Sequence, residues 1–79
     1  MNTIINILEK IFQNYFNNKK IKLNKKTNSK NIKNWDSLAQ VGLILAIEKK
    51  FNLKFSLKEI EKLNNIGDMV NLILKKNKK

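Results

Sequence analysis

Seventy-nine residues with a net charge of +11 make one domain with a single modest core, because a chain this short buries only roughly 60% of the surface it exposes when unfolded. The absence of Cys excludes a disulfide framework, a thiolate metal site and a protein thiol for covalent chemistry, and the absence of His removes the usual general base. The longest apolar run, Val41 to Ile47, has seven residues, well short of the ~20 that span a bilayer; the N-terminus has Glu9 and no early basic region, which is unlike a secretion signal, so a cytoplasmic chain with no membrane span is expected.

Thr3 is placed to cap a first helix over 3–17, in which Ile4, Ile7, Leu8, Ile11, Phe12, Tyr15 and Phe16 recur at three- and four-residue steps. A long connection over 18–35 follows, polar and Lys-rich, with single apolar residues at Ile21, Leu23, Ile32 and Trp35 to pin it down. It holds seven Lys and no acid between Asn18 and Asn34, and Lys75, Lys76, Lys78 and Lys79 add four more. Seven plus four is the whole charge excess, so the helical body is close to neutral. With 17 Lys, 14 Asn and 11 Ile but neither Arg nor Pro, the composition fits A+T-rich codon usage better than selection for a basic partner surface.

A second helix is predicted over 36–51, with Asn52 suited to the left-handed position beyond its end. Ser56-Leu57-Lys58-Glu59 has the capping-box pattern and opens a short third helix over 56–63. Asn65, with Asp68 three residues on, starts a fourth over 65–76, in which Ile66, Met69, Val70 and Ile73 keep helical spacing. No strand pair is evident. The fold class is therefore all-α, a small four-helix bundle making one domain over 1–79, with a long first connection and a short third helix.

The second helix is apolar on two sides. At about 100° per residue, Leu43, Ile44, Ile47 and Phe51 share one arc and Leu38, Val41 and Leu45 another. Three short neighbours do not cover both. The second stripe begins beside Ser37 and is interrupted by Gly42, Glu48 and Lys49, so it is the one expected at the surface, where an apolar strip with a polar rim marks a docking site.

Ser37 admits three readings. Ser37-Leu38-Ala39-Gln40 fits a capping box. A catalytic nucleophile would need a positioned base, for which a chain without His leaves only a disfavoured Ser-Lys pair, and no catalytic or metal-ligating set is expected. As an attachment point, modified by an enzyme with its own base, Ser37 would hold a phosphodiester at a helix N-terminus, where free N–H groups and the helix dipole favour negative charge.

Asp36-Ser37-Leu38, with Val41, Leu43, Ile44, Leu45, Ala46, Ile47, Glu48 and Phe51, resembles the acyl carrier proteins, in particular small free-standing ones with Trp before the Asp-Ser-Leu motif. The likeness continues through Phe55-Ser56-Leu57, Glu59-Ile60 and Ile66-Gly67-Asp68-Met69-Val70. It implies a non-catalytic, monomeric four-helix carrier in lipid metabolism, whose Ser37 receives 4′-phosphopantetheine from a phosphopantetheinyl transferase using coenzyme A and magnesium. The arm's thiol would hold acyl groups as thioesters for loading and transfer enzymes. Asp36 and Leu38 would help these partners recognise the site, with Val41 and Leu45 continuing the contact surface, and sheltered cargo would enter between apolar-lined helices. Fatty-acid biosynthesis is the family's usual setting.

The departure is electrostatic. The family usually presents an acidic second helix to basic enzymes, whereas Asp36 and Glu48 are here offset by Lys49 and Lys50, and Ala39 and Gly42 stand where acids are common. Charge complementarity governs on-rate and partner choice, so a specialised pathway is expected in preference to bulk fatty-acid synthesis. One rival reading is an aminoacyl or hydroxyacyl carrier loaded by an adenylating ligase, which the residues do not separate from an acyl carrier. Another, less favoured, is a small basic nucleic-acid-binding protein: Lys patches attract phosphates, but specific readout leans on Arg and exposed aromatics, and no specific nucleic acid is expected.

Overall fold

A computed structural model describes residues 2–77, with side-chain environments for residues 3–76. The four helices are α1 (Asn2–Phe16), α2 (Ser37–Phe51), α3 (Leu57–Glu61) and α4 (Ile66–Asn77), and no strand occurs among the described residues. The expected tail residues Lys78 and Lys79 lie outside that range.

The stripe read from α1 supplies Leu8 and Phe12 to the centre of the core, where they meet Leu43, Ile44 and Ile47 of α2 and Ile66, Met69, Val70 and Ile73 of α4. Phe51 is half-buried against the same cluster. Two expectations for α1 need correction. Thr3 lies within the helix and does not cap it. Tyr15 is 43% exposed and is no core residue; its ring lies along α2, where a Cβ on Gly42 would come within 2.5 Å of Cε1.

Asparagine ends two helices. Asn17 (φ 52°) and Asn52 (φ 56°) take left-handed conformations, tolerated because the short amide side chain bonds locally. The N–H of Asn18 then donates to Gln13 O (2.9 Å) and that of Leu53 to Glu48 O (2.9 Å).

The Lys-rich connection is ordered by the same chemistry. Asn18, Asn24 and Asn28 each accept, on Oδ1, the N–H two residues on, from Lys20 (3.0 Å), Lys26 (2.8 Å) and Lys30 (2.8 Å), forming three side-chain-closed turns. Ile21 and Leu23 are buried as anchors, and the Leu23 N–H donates to Glu9 Oε2 (3.0 Å). The loop also completes α4: Ile66 N–H donates to Thr27 O (2.8 Å) and Gly67 N–H to Lys25 O (2.9 Å), satisfying donors that a helix start leaves free. A Cβ on Gly67 would sit 3.0 Å from Lys25 O, so glycine permits that approach.

The capping box of α3 forms as read. Glu59 N–H donates to Ser56 Oγ (3.2 Å) and Ser56 N–H to Glu59 Oε1 (2.8 Å). The helix ends two residues earlier than expected, closing at Lys62, whose N–H turns back to the carbonyls of Glu59 and Ile60, as in a tight final turn. The Ser56 N–H, and then Lys76 Nζ at 2.9 Å, hold the Glu59 carboxyl below its ordinary value of 4.5. A depressed folded pKa contributes stability above the unfolded value that is lost as pH falls through the folded one. Glu59→Gln is therefore expected to narrow the loss of thermal midpoint as pH falls below about 4.5, measured against the parent chain by circular dichroism.

Candidate functional site

The turn into α2 is built backwards from Trp35. Its indole packs edge-on against Phe12, ring centroids 5.0 Å apart, and its Nε1–H donates to Gln40 Oε1 (2.7 Å). Asn34, at φ 72°, reverses the chain before Trp35, and Asp36 N–H donates to Asn34 O (3.1 Å). Asp36 thereby sits extended at the N-cap, and Ala39 N–H donates to its Oδ1 (2.9 Å).

This corrects the capping reading of Ser37. Gln40, the partner that box required, is held by Trp35, and the cap is Asp36. Ser37 is the first residue of α2, exposed, and its hydroxyl has no hydrogen-bond partner among the described residues. Loss of a cap costs about 1 kcal/mol, so Asp36→Ala should lower the thermal midpoint by about 4–8 °C. Asp36→Asn, which keeps an acceptor, should restore most of it.

From Ser37 a cleft of about 660 Å³ runs between α2 and α3, open to solvent at its mouth. Phe12, Leu43, Ile47, Ile60, Leu63, Ile66 and Met69 form its apolar wall, and Trp35, Asp36, Ser37, Ser29 and Glu61 line its polar parts. The expected surface stripe is where it was placed: Leu38 is 78%, Val41 57% and Leu45 59% exposed. The structure divides it, with Val41 on the cleft lining and Leu38 and Leu45 outside. Leu57, 72% exposed, faces Val41's cleft from α3; its place in the Ser56 capping box drew attention to the cap instead.

The site has the features a serine-linked phosphodiester requires. Ser37 Oγ is accessible and uncommitted, the Asp36 carboxylate is occupied by Ala39 N–H, and neither the Ser37 nor the Leu38 N–H meets an acceptor among the described residues. Those N–H groups, at the positive end of the helix dipole, suit a phosphate on the adjacent Oγ. The cleft beginning at the same residue suits a chain that is apolar beyond the phosphate.

Comparison with known proteins follows the same residues. A family profile described as a phosphopantetheine attachment site matches residues 35–73. The acyl carrier protein of Helicobacter pylori is 47% identical over 38 residues, 48% of this chain and 49% of the relative. That of Buchnera aphidicola is 43% identical over 44 residues, 56% of this chain and 55% of the relative. These matches thus span about half the length of the curated relatives. The solution structure of a holo acyl carrier protein from Geobacter metallireducens superposes with a TM-score of 0.86 at 38% identity, covering 91% of this chain and 83% of that one. With likeness in sequence and fold over most of that carrier, the chain belongs to the acyl carrier protein family.

Proposed function

We propose that the chain acts as a single carrier unit that bears 4′-phosphopantetheine on Ser37 and delivers acyl groups to other enzymes, catalysing nothing itself. The observation that carries this reading is the free Ser37 hydroxyl at the head of α2, one residue beyond a cap that has no need of it. The arm's terminal thiol supplies thioester chemistry, which a chain without Cys does not supply itself. Asp36 and Trp35 hold the serine in place, and the N–H groups of Ser37 and Leu38 would be available to the phosphate of the arm. The α2–α3 cleft shelters apolar cargo from water; Leu38, Val41 and Leu45 meet the transferase and the loading and transfer enzymes.

The setting we propose is a specialised cytoplasmic pathway. No helix among the described residues is long and apolar enough to cross a membrane. The acids of α2 that would attract basic enzymes are two, Asp36 and Glu48, and both accept backbone N–H groups of this chain, from Ala39 and from Phe55 (2.7 Å). An enzyme that recognises an acidic second helix finds little to hold here.

The test is loading. Incubated with coenzyme A, magnesium and a broad-specificity phosphopantetheinyl transferase, the protein should gain the mass of one phosphopantetheine. An unchanged mass after exhaustive incubation would overturn the proposal.

A further inference from the structure

The six carboxylates of this chain are used in an unusual way. Glu9 accepts the Leu23 N–H, Asp36 that of Ala39, Glu48 that of Phe55, Glu59 that of Ser56 and Asp68 that of Asn64. Five of the six thus accept a backbone N–H, and Glu61 alone among them accepts no hydrogen bond from the described residues.

Around the outer face of α2 the consequence is a surface of donors. Lys49 follows Leu45 by four residues, on the line of Leu38 and Leu45 along the helix, and is exposed. On the flank, Tyr15 lies over Gly42, half-exposed, with its Oη 2.6 Å from where a Cβ on Gly42 would stand. That hydroxyl has no partner among the described residues and occupies the space that a longer side chain at 42 would need. The face thus offers Leu38 and Leu45 for burial, with ammonium and phenol donors beside them.

We propose that this face docks an enzyme whose carrier-binding surface is apolar with carboxylates opposite Lys49 and the Tyr15 hydroxyl. The inference rests on the carrier reading of Ser37 and assigns its partners a charge. Carboxylates there would steer encounter, whereas a lysine- or arginine-lined surface would be repelled along α2.

The test uses a phosphopantetheinyl transferase with a basic carrier-binding surface, and a variant of that enzyme with those residues changed to Glu. Loading kcat/KM is measured for the wild-type chain, for Lys49→Glu, and for Lys75→Glu, which makes the same change in net charge on α4. With the basic enzyme at low salt, Lys49→Glu should load about 10-fold faster than wild type, and the gain should shrink as salt rises. With the glutamate-bearing enzyme the order should reverse. A change below about twofold with the basic enzyme, or an equal effect from Lys75→Glu, would overturn the docking inference while leaving the attachment reading intact. If no chain gains mass with either enzyme, the attachment reading fails and this inference with it.

Discussion

Ser37→Ala is expected to abolish phosphopantetheine attachment completely while leaving the helical circular-dichroism spectrum unchanged and the thermal midpoint within about 2 °C of the parent. A serine at a helix start would ordinarily make such a substitution destabilising. Here the cap is Asp36, through Ala39 N–H, and the Ser37 hydroxyl makes no hydrogen bond that alanine would lose. Alanine is also the better helix former. The expected result is therefore a separation of function from fold at one oxygen atom. A midpoint lowered as far as by Asp36→Ala would show that Ser37 is a structural residue after all.

Phe12→Ala should have the largest effect on stability. Phe12 is 1% exposed. It packs against Phe16 at 6.2 Å and Trp35 at 5.0 Å between ring centroids, and forms part of the cleft wall. Truncating a buried Phe costs about 3–5 kcal/mol, against a total of about 4–12 kcal/mol for a domain of this length. Most or all of the folded population should be lost, read as a urea midpoint lowered by at least about 1 M or as an unfolded spectrum in buffer. Trp35 is the one tryptophan, so its fluorescence should follow the same transition. A loss below about 1 kcal/mol would mean that α1 does not anchor the turn before Ser37 as described.

Periodicity carried most of the fold. The stripes of α1 and α4 and the two faces of α2 were legible because each depends on spacing alone, and Leu38, Val41 and Leu45 were assigned to solvent because their stripe begins beside Ser37 and is interrupted by Gly42, Glu48 and Lys49. What spacing did not decide was competition for partners. Asp36-x-x-Ala39 and Ser37-x-x-Gln40 both fit a cap, and the choice falls to Trp35, which holds Gln40 from outside the helix. Tyr15 fits the α1 stripe by period yet lies on the surface, because Gly42 leaves room for its ring against α2. The Lys-rich connection carried its signal in Asn18, Asn24 and Asn28, each two residues before a Lys that donates its backbone N–H. That signal was masked by a composition rich in both residue types. The engagement of Glu48 with Phe55, seven residues away, depends on how the link to α3 folds back.

One hydroxyl of this chain is proposed to carry the arm. The chain offers three serines, Ser29, Ser37 and Ser56. Ser56 Oγ is occupied as a cap, whereas Ser29 and Ser37 both line the cleft, so mass gain alone does not distinguish them. Fragmentation mass spectrometry of the loaded protein does: the phosphopantetheine is expected on Ser37 and on no other residue, and its appearance on Ser29, or on any hydroxyl other than that of Ser37, would overturn the assignment of the arm to Ser37.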